Sequence, residues 1–159
     1  MDVEILAEDP RWEAAELAGL ADRAGRAVSE CLGLPETEVA LLAADDARMT
    51  TLNAAHRGRE APTNVLSWPA QAVTPPTLPA ADFPGEPVFL GDLALGYETC
   101  VAESQAGGIP LSAHVTHLIV HGILHLLGYD HGTEAEAAVM EDLEAEILAE
   151  LGLENPYCR

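Results

Sequence analysis

The sequence predicts an α+β fold: one domain over residues 1–159, with a small mixed sheet of about four strands packed with about five helices. Three observations carry this. The 159 residues, 48% of them apolar, suffice for one hydrophobic core. Short apolar runs of strand length alternate irregularly with longer stretches of helical period. No internal repeat is present, and the one long irregular stretch is followed by too little chain for a second domain.

Taken in order, VEILAED (3–9) reads as a short strand. From Trp12 to Leu32 the apolar positions Leu17, Leu20, Ala24, Val28 and Cys31 fall on one helical stripe, which Gly33 and Pro35 end. EVALLAA (38–44) is a second strand. Asp45 or Asp46 caps a helix over Ala47–His56, with Met49 and Leu52 inward. NVLSWP (64–69) is a third strand, stopped by Pro69. Residues 70–87 contain five prolines and almost no periodicity, and read as a long surface loop. VFLGDLALG (88–96) is the fourth strand. A short helix over Tyr97–Ala106 ends at Gly107-Gly108, and another begins at Pro110 or Ser112 and runs to about Leu127. The last helix covers Glu134–Leu151, with Val139, Met140, Leu143, Ile147 and Leu148 forming its apolar side and a strongly acidic outer face.

Composition narrows the functional classes. Asp and Glu number 27 against 7 arginines and no lysine, a net charge of −20. So acidic a surface repels polyphosphates, which argues against generic nucleic-acid binding and requires any RNA site to be a local basic island. The apolar runs are too short for a transmembrane helix, and the acidic N-terminus is unlike a signal peptide, so the expected location is cytoplasmic, with no membrane partner. Cys31, Cys100 and Cys158 are widely spaced and odd in number, which suggests neither a disulfide framework nor a thiolate metal site.

The stretch HGILHLLGYDH (121–131) places three of the six histidines within eleven residues. His117, His121 and His125 are spaced i, i+4, i+8 and share a helix face. A histidine pair one turn apart on rigid backbone holds a single metal ion through two ring nitrogens. Gly128 then ends the helix, and the chain turns back so that His131 supplies a third ligand. Three imidazoles leave a fourth position open, the arrangement of a catalytic rather than a structural zinc site, placed at the C-terminal end of a central helix. Imidazoles suit zinc, although nickel and copper also bind such sites. His117 reads as a residue that orients a ligand or the substrate, or as a structural one. His114 and His56 read as ordinary hydrogen-bonding histidines. Zinc-peptidase helices carry a glutamate directly after the first histidine, whereas this chain has Gly122 there. Asp130, beside His131, is a candidate proton acceptor or ligand-orienting group.

These residues resemble the signature of the YbeY family, bacterial single-strand-specific metallo-endoribonucleases. The pattern HGxLHLxGYDH is met at every fixed position. LNAAHRGREAPTNVLSWP (52–69) is similar to the family's LNxxxRGxxxPTxVLSFP segment, with Trp68 for the usual Phe. LGDLALG (90–96) and EDLEAEILAELGLENPY (141–157) are similar to its LGDI strand and its C-terminus. The first 40 residues match only in general pattern, and loop 70–87 is particular to this chain. The resemblance implies an α+β domain with one zinc ion on His121, His125 and His131, and Arg57 as a basic residue beside the cleft. It implies rRNA processing at the 3′ end of 16S rRNA and ribosome quality control, with single-stranded or ribosomal RNA and ribosome-associated proteins as partners. Arg48, Arg57 and Arg59 lie within twelve residues, and arginine grips phosphate in a bidentate fashion. The candidate catalytic set is therefore Arg57, His117 and Asp130, and the candidate substrate-binding set is Arg57, Arg59, Asn64 and Ser67, with Thr63 near them. Two other readings stand beside this one. One is a metallopeptidase or small-molecule metallohydrolase with the same three histidines, and the other is a non-catalytic ribosome assembly factor.

Overall fold

The structure, a computed structural model, describes residues 1–158. Strand β1 (Asp2–Ala7) leads through the single turn α1 (Arg11–Ala14) into α2 (Leu17–Leu32), and then to β2 (Thr37–Ala44) and α3 (Asp46–Arg57). Strands β3 (Val65–Pro69) and β4 (Val88–Gly96) flank the long loop 70–87. Three helices complete the chain: α4 (Tyr97–Gly107), α5 (Leu111–Leu126) and α6 (Glu134–Glu150). The sheet order is β1-β2-β4-β3, with β1, β2 and β4 parallel and β3 antiparallel to β4. This is the mixed four-stranded α+β domain that the sequence predicts, with six helices instead of five.

The additional helix arises at Glu16. Its backbone is left-handed (φ 57°) and breaks the stretch expected to be one helix from Trp12 to Leu32. Trp12 is the reason. Its indole is fully buried, and its Nε1–H donates to the Ala44 carbonyl at 2.8 Å, at the end of β2. One straight helix has to aim a single stripe at one surface. Here Trp12, tethered to the strand end, and Leu17, Leu20, Ala24 and Val28, which an unbroken helix would turn off its stripe, all pack in the main core.

The two faces of the sheet are covered unequally. Val3, Ile5, Val39, Leu41, Leu93 and Leu95 face α2 and α5, and this layer forms the main core, with α6 packed on both helices. Among the described residues the opposite face is covered by α3, where Met49 and Leu52 meet Leu42, Ala44, Leu66, Trp68 and Ala94 in a smaller cluster. Asp45 caps α3 by accepting from the Arg48 amide at 2.8 Å. Asp46 serves a different helix: its carboxylate accepts from Thr99 N at 3.0 Å and from Thr99 Oγ1 at 2.8 Å, in the first turn of α4. The residue preceding α4 is Gly96, which has no side chain to do this.

Loop 70–87 is tied down in its first half. The Gln71 side-chain amide both donates to the Ala80 carbonyl (2.7 Å) and accepts from the Ala80 amide (3.1 Å). Among the described residues no single helix is long and apolar enough to cross a membrane; α4 and α5 reach that length only together, across a 116° bend.

Candidate metal centre

Helix α5 is buried almost all round. Val115, Leu118, Ile119, Val120, Ile123, Leu124 and Leu126 are inaccessible or nearly so, and the half-buried stripe between them is the histidine row. The helix comes close to the sheet because Gly122 faces it. A Cβ at that position would lie 2.8 Å from Leu93 Cδ2 and 3.4 Å from Ser67 Oγ. Ser67, on β3, donates to the Gly122 carbonyl at 3.4 Å, and so lies one residue from His121. Leu93 and Ser67 fill the space that a glutamate at 122 would need.

The C-terminus of α5 shapes the site. Gly128 is left-handed (φ 93°). The Gly128 amide bonds to the His125 carbonyl and the Tyr129 amide to the Leu124 carbonyl, each at 3.0 Å, the paired bonds of a Schellman turn. A Cβ on Gly128 would lie 2.2 Å from the Val73 carbonyl oxygen of loop 70–87, so glycine is required for space as well as for φ. The turn folds the Tyr129 carbonyl back onto His125 Nδ1 at 2.9 Å. It also returns His131 to the helix end, where its ring centroid lies 5.1 Å from that of His125 and 5.8 Å from that of His121. The structure thus brings together the three histidines expected to share an ion. One nitrogen of each lies within 4.8 Å of the other two.

The hydrogen bonds fix which nitrogens these are. His121 Nδ1 contacts the Glu144 carboxylate, and His125 Nδ1 faces a carbonyl oxygen. Both partners only accept, so each Nδ1 carries the ring proton. The Nε2 atoms are then bare lone pairs, and they face each other at 3.0 Å. Two lone pairs at that distance repel unless a cation lies between them. Four-coordinate zinc with 2.0–2.1 Å bonds sets its ligand nitrogens about 3.3 Å apart, so this spacing and donor set fit such an ion. Burial first, and then the adjacent rings of His121 and His131, which would repel a second positive charge, hold the His125 pKa below the usual imidazole range. The shift favours the neutral ring that a ligand must have.

Behind His121 lies a second layer that the sequence pattern alone does not reveal. Glu144 of α6 is fully buried and contacts His121 Nδ1 through Oε1 and the Tyr157 hydroxyl through Oε2. Burial alone would raise its pKa, but the bonds from His117, His121 and Tyr157 outweigh this and hold it at about 2. The Tyr157 hydroxyl is pushed upward by burial and by the neighbouring carboxylate, so it stays a donor. His117 belongs to this layer: its Nε2 is 3.3 Å from the Tyr157 hydroxyl and 3.7 Å from Glu144 Oε2. Residues 117, 121 and 144 form a second potential ligand group. The direct His121–Glu144 contact leaves no room for an ion between these two, so the group supports the first site. Glu144 owes its burial to the packing of α6. It sits four residues after Met140 and three before Ile147, within the buried stripe of α6, whereas Val139, expected inward, is 59% exposed.

The remaining candidates lie outside the histidine cluster. Asp130 is exposed, and its Oδ1 accepts from the His131 amide at 2.8 Å. Arg57 ends α3 and Arg59 follows it; both are exposed, and among the described residues neither forms an ion pair, whereas Arg48 pairs with Glu8 at 3.2 Å. The loop bearing them is held by buried Asn53, whose Nδ2 donates to the Ala61 carbonyl at 2.9 Å. His56 packs on Trp68, which neighbours Ser67 on β3. Asn64 is turned toward α4: its Nδ2 donates to Glu103 at 3.0 Å, and the same carboxylate meets His114 at 2.9 Å.

Fold and site define an α+β protein with three clustered imidazoles, able to hold a metal ion, at the end of a buried helix. The chain belongs to the YbeY family: the family model described as Endoribonuclease YbeY matches residues 3–152. Proteins named Endoribonuclease YbeY from Dinoroseobacter shibae and Ruegeria pomeroyi are 53% and 52% identical to it. The first alignment covers 98% of this chain and 90% of the relative, the second 99% and 98%. The relative from Paracoccus denitrificans is 48% identical over 98% of this chain and 89% of its own. The solution structure of TM1509 from Thermotoga maritima shares the fold, with a TM-score of 0.56 at 20% identity over 94% of this chain and 91% of that one.

Proposed function

We propose that the protein is a metal-dependent endoribonuclease, zinc being the ion its donors suit best, with His121, His125 and His131 as ligands. The observation that carries this reading is the pair of Nε2 lone pairs converging at 3.0 Å with both Nδ1 atoms already committed. Family membership supplies RNA as the substrate. An ion held by the three histidines supplies Lewis acidity toward the scissile phosphodiester.

The chain's own residues do the rest. Arg57 and Arg59, unpaired among the described residues, hold phosphate oxygens and offset charge that builds on them. Asp130 uses one oxygen on the His131 amide and leaves the other to accept a proton beside the ligand it steadies. Ser67 borders the centre through its bond to the Gly122 carbonyl. His117, set against Tyr157 and Glu144, steadies His121 from behind. The substrate is single-stranded rRNA, near the 3′ end of 16S rRNA, presented in the cytoplasm by the ribosome or proteins bound to it. Presentation by a partner answers the charge problem: with a net charge of −20, the surface does not gather free RNA by itself. A peptidase reading gains nothing here, because the place of its general base is filled by Leu93 and Ser67.

The test is cleavage of unstructured RNA by protein of measured metal content. Arg57→Ala is expected to retain the metal and to lose about 100-fold in kcat/KM, while His125→Ala loses both metal and cleavage. Cleavage that survives His125→Ala, or is indifferent to chelator, refutes the proposal.

A further inference from the structure

Glu144 is a carboxylate at 0% exposure, and among the described residues no arginine pairs with it. Its partners are the two imidazoles of His117 and His121 and the phenol of Tyr157. A buried anion with no arginine or lysine beside it is costly, and becomes less so when a neighbour gains positive charge. The neighbour in contact is His121, whose other nitrogen faces the proposed ion. An ion there polarises the ring and strengthens the Nδ1–H bond to the carboxylate. The carboxylate in turn keeps the proton on Nδ1 and the Nε2 lone pair aimed at His125.

Tyr157 extends this chain of contacts to the C-terminal segment. That segment leaves α6 at Leu151, and its Tyr157 hydroxyl donates to Glu144 Oε2, which leaves Oε1 for His121. A local clasp sets the tyrosine, whose amide donates to Asn155 Oδ1 at 2.9 Å. Its ring also lies edge-on to His117, with centroids 5.7 Å apart.

We propose that Glu144 and Tyr157 are positioning residues for the metal ligand His121, so that docking of the C-terminal segment 152–157 and loading of the ion reinforce each other. The inference rests on the three-histidine reading above. By linkage, whatever the docked segment adds to metal affinity, the metal returns to the docking of the segment.

The experiment measures zinc affinity of the full chain by chelator competition, and hydrogen exchange of segment 152–157 with and without zinc. Glu144→Ala is expected to weaken zinc binding 10- to 100-fold, the usual range for a partner of a ligating histidine. Glu144→Gln, which keeps an acceptor, recovers part of the loss. Tyr157→Phe weakens binding about tenfold in the native background and has no further effect in Glu144→Ala, because it acts through that carboxylate. Zinc slows exchange in 152–157 in the native chain and not in Tyr157→Phe. Were Glu144→Ala too unstable to purify, Glu144→Gln and Tyr157→Phe carry the same readouts. Unchanged zinc affinity in folded Glu144 and Tyr157 variants overturns the proposal, as does a Tyr157→Phe effect that persists undiminished in Glu144→Ala. Failure of the native chain itself to bind zinc, or binding that survives His125→Ala, would instead refute the three-histidine reading.

Discussion

Replacing Gly128 with alanine tests the local construction of the site. The residue has φ 93°, where a Cβ costs about 1–2 kcal/mol in backbone strain. That Cβ would also lie 2.2 Å from the Val73 carbonyl oxygen, a backbone atom that yields only if loop 70–87 or the end of α5 moves. Forced overpacking adds about 1–3 kcal/mol, giving a total of about 3 kcal/mol. Gly152 is the internal control. It has φ 73° and open space within 4 Å of where an alanine methyl would stand, so Gly152→Ala carries only the strain. Urea unfolding of metal-free protein should therefore show Gly128→Ala about 1–3 kcal/mol less stable than Gly152→Ala, or roughly 2–4 °C in Tm for each kcal/mol. Moving the turn also shifts the Tyr129 carbonyl off His125 Nδ1, so zinc affinity should fall at least about tenfold in Gly128→Ala and stay unchanged in Gly33→Ala, at a left-handed glycine (φ 61°) with open space around it at the end of α2. Equal stabilities, or an unaltered zinc affinity in Gly128→Ala, would show that the turn does not orient His125.

Other consequences are more direct. Gly122→Ala gains about 1 kcal/mol in helix propensity but drives a Cβ to 2.8 Å from buried Leu93, so a net loss of about 1–2 kcal/mol is expected in urea unfolding. Asp46→Ala removes both acceptors of Thr99 at the start of α4 and should cost about 1–2 kcal/mol, with Asp46→Asn recovering part. His125 is held below its ordinary 6.5 by burial and by its histidine neighbours, so as pH falls the unfolded chain takes up this proton first. Stability of the metal-free protein therefore drops as pH falls through 6.5 toward the folded value. Thermal melts at about pH 7.5 and about pH 5.5, on either side of the ordinary imidazole range, should show the drop, and His125→Asn should reduce it. Glu144, at about 2 in the folded chain against 4.5, holds its contribution throughout that window and loses it only in stronger acid. Saturating zinc should raise Tm in proportion to the logarithm of its free concentration, and His131→Ala should shrink the rise.

What was legible in the sequence was what local chemistry determines. Strand and helix periods placed the four strands and the main helices, because the buried stripes on α2 and α5 are regular and their glycine stops stand at the helix ends. Gly128 and three spaced histidines outlined the cluster, since two of its imidazoles lie on one helix and the third is six residues beyond the second. The break at Glu16 was not legible. It is forced by the Trp12 bond to Ala44, a contact 32 residues away. Glu144 is hidden because it lies in a helix rich in acids, where one more carboxylate looks like solvated surface. Only the packing of α6 against α5 shows that this one points inward. Asn64, expected to line the site, is instead occupied with Glu103 of α4.

The Gln71–Ala80 clasp divides the long proline-rich segment into unequal parts. Inside it, Val73 is pressed against the end of the histidine helix, and added length there would be felt at the histidine cluster. Downstream, residues 81–87 run back to β4 outside the clasp, with Phe83 65% exposed. An epitope or fluorophore grafted into that outer portion would leave the histidine cluster undisturbed, which makes it the natural handle for tagging this protein internally.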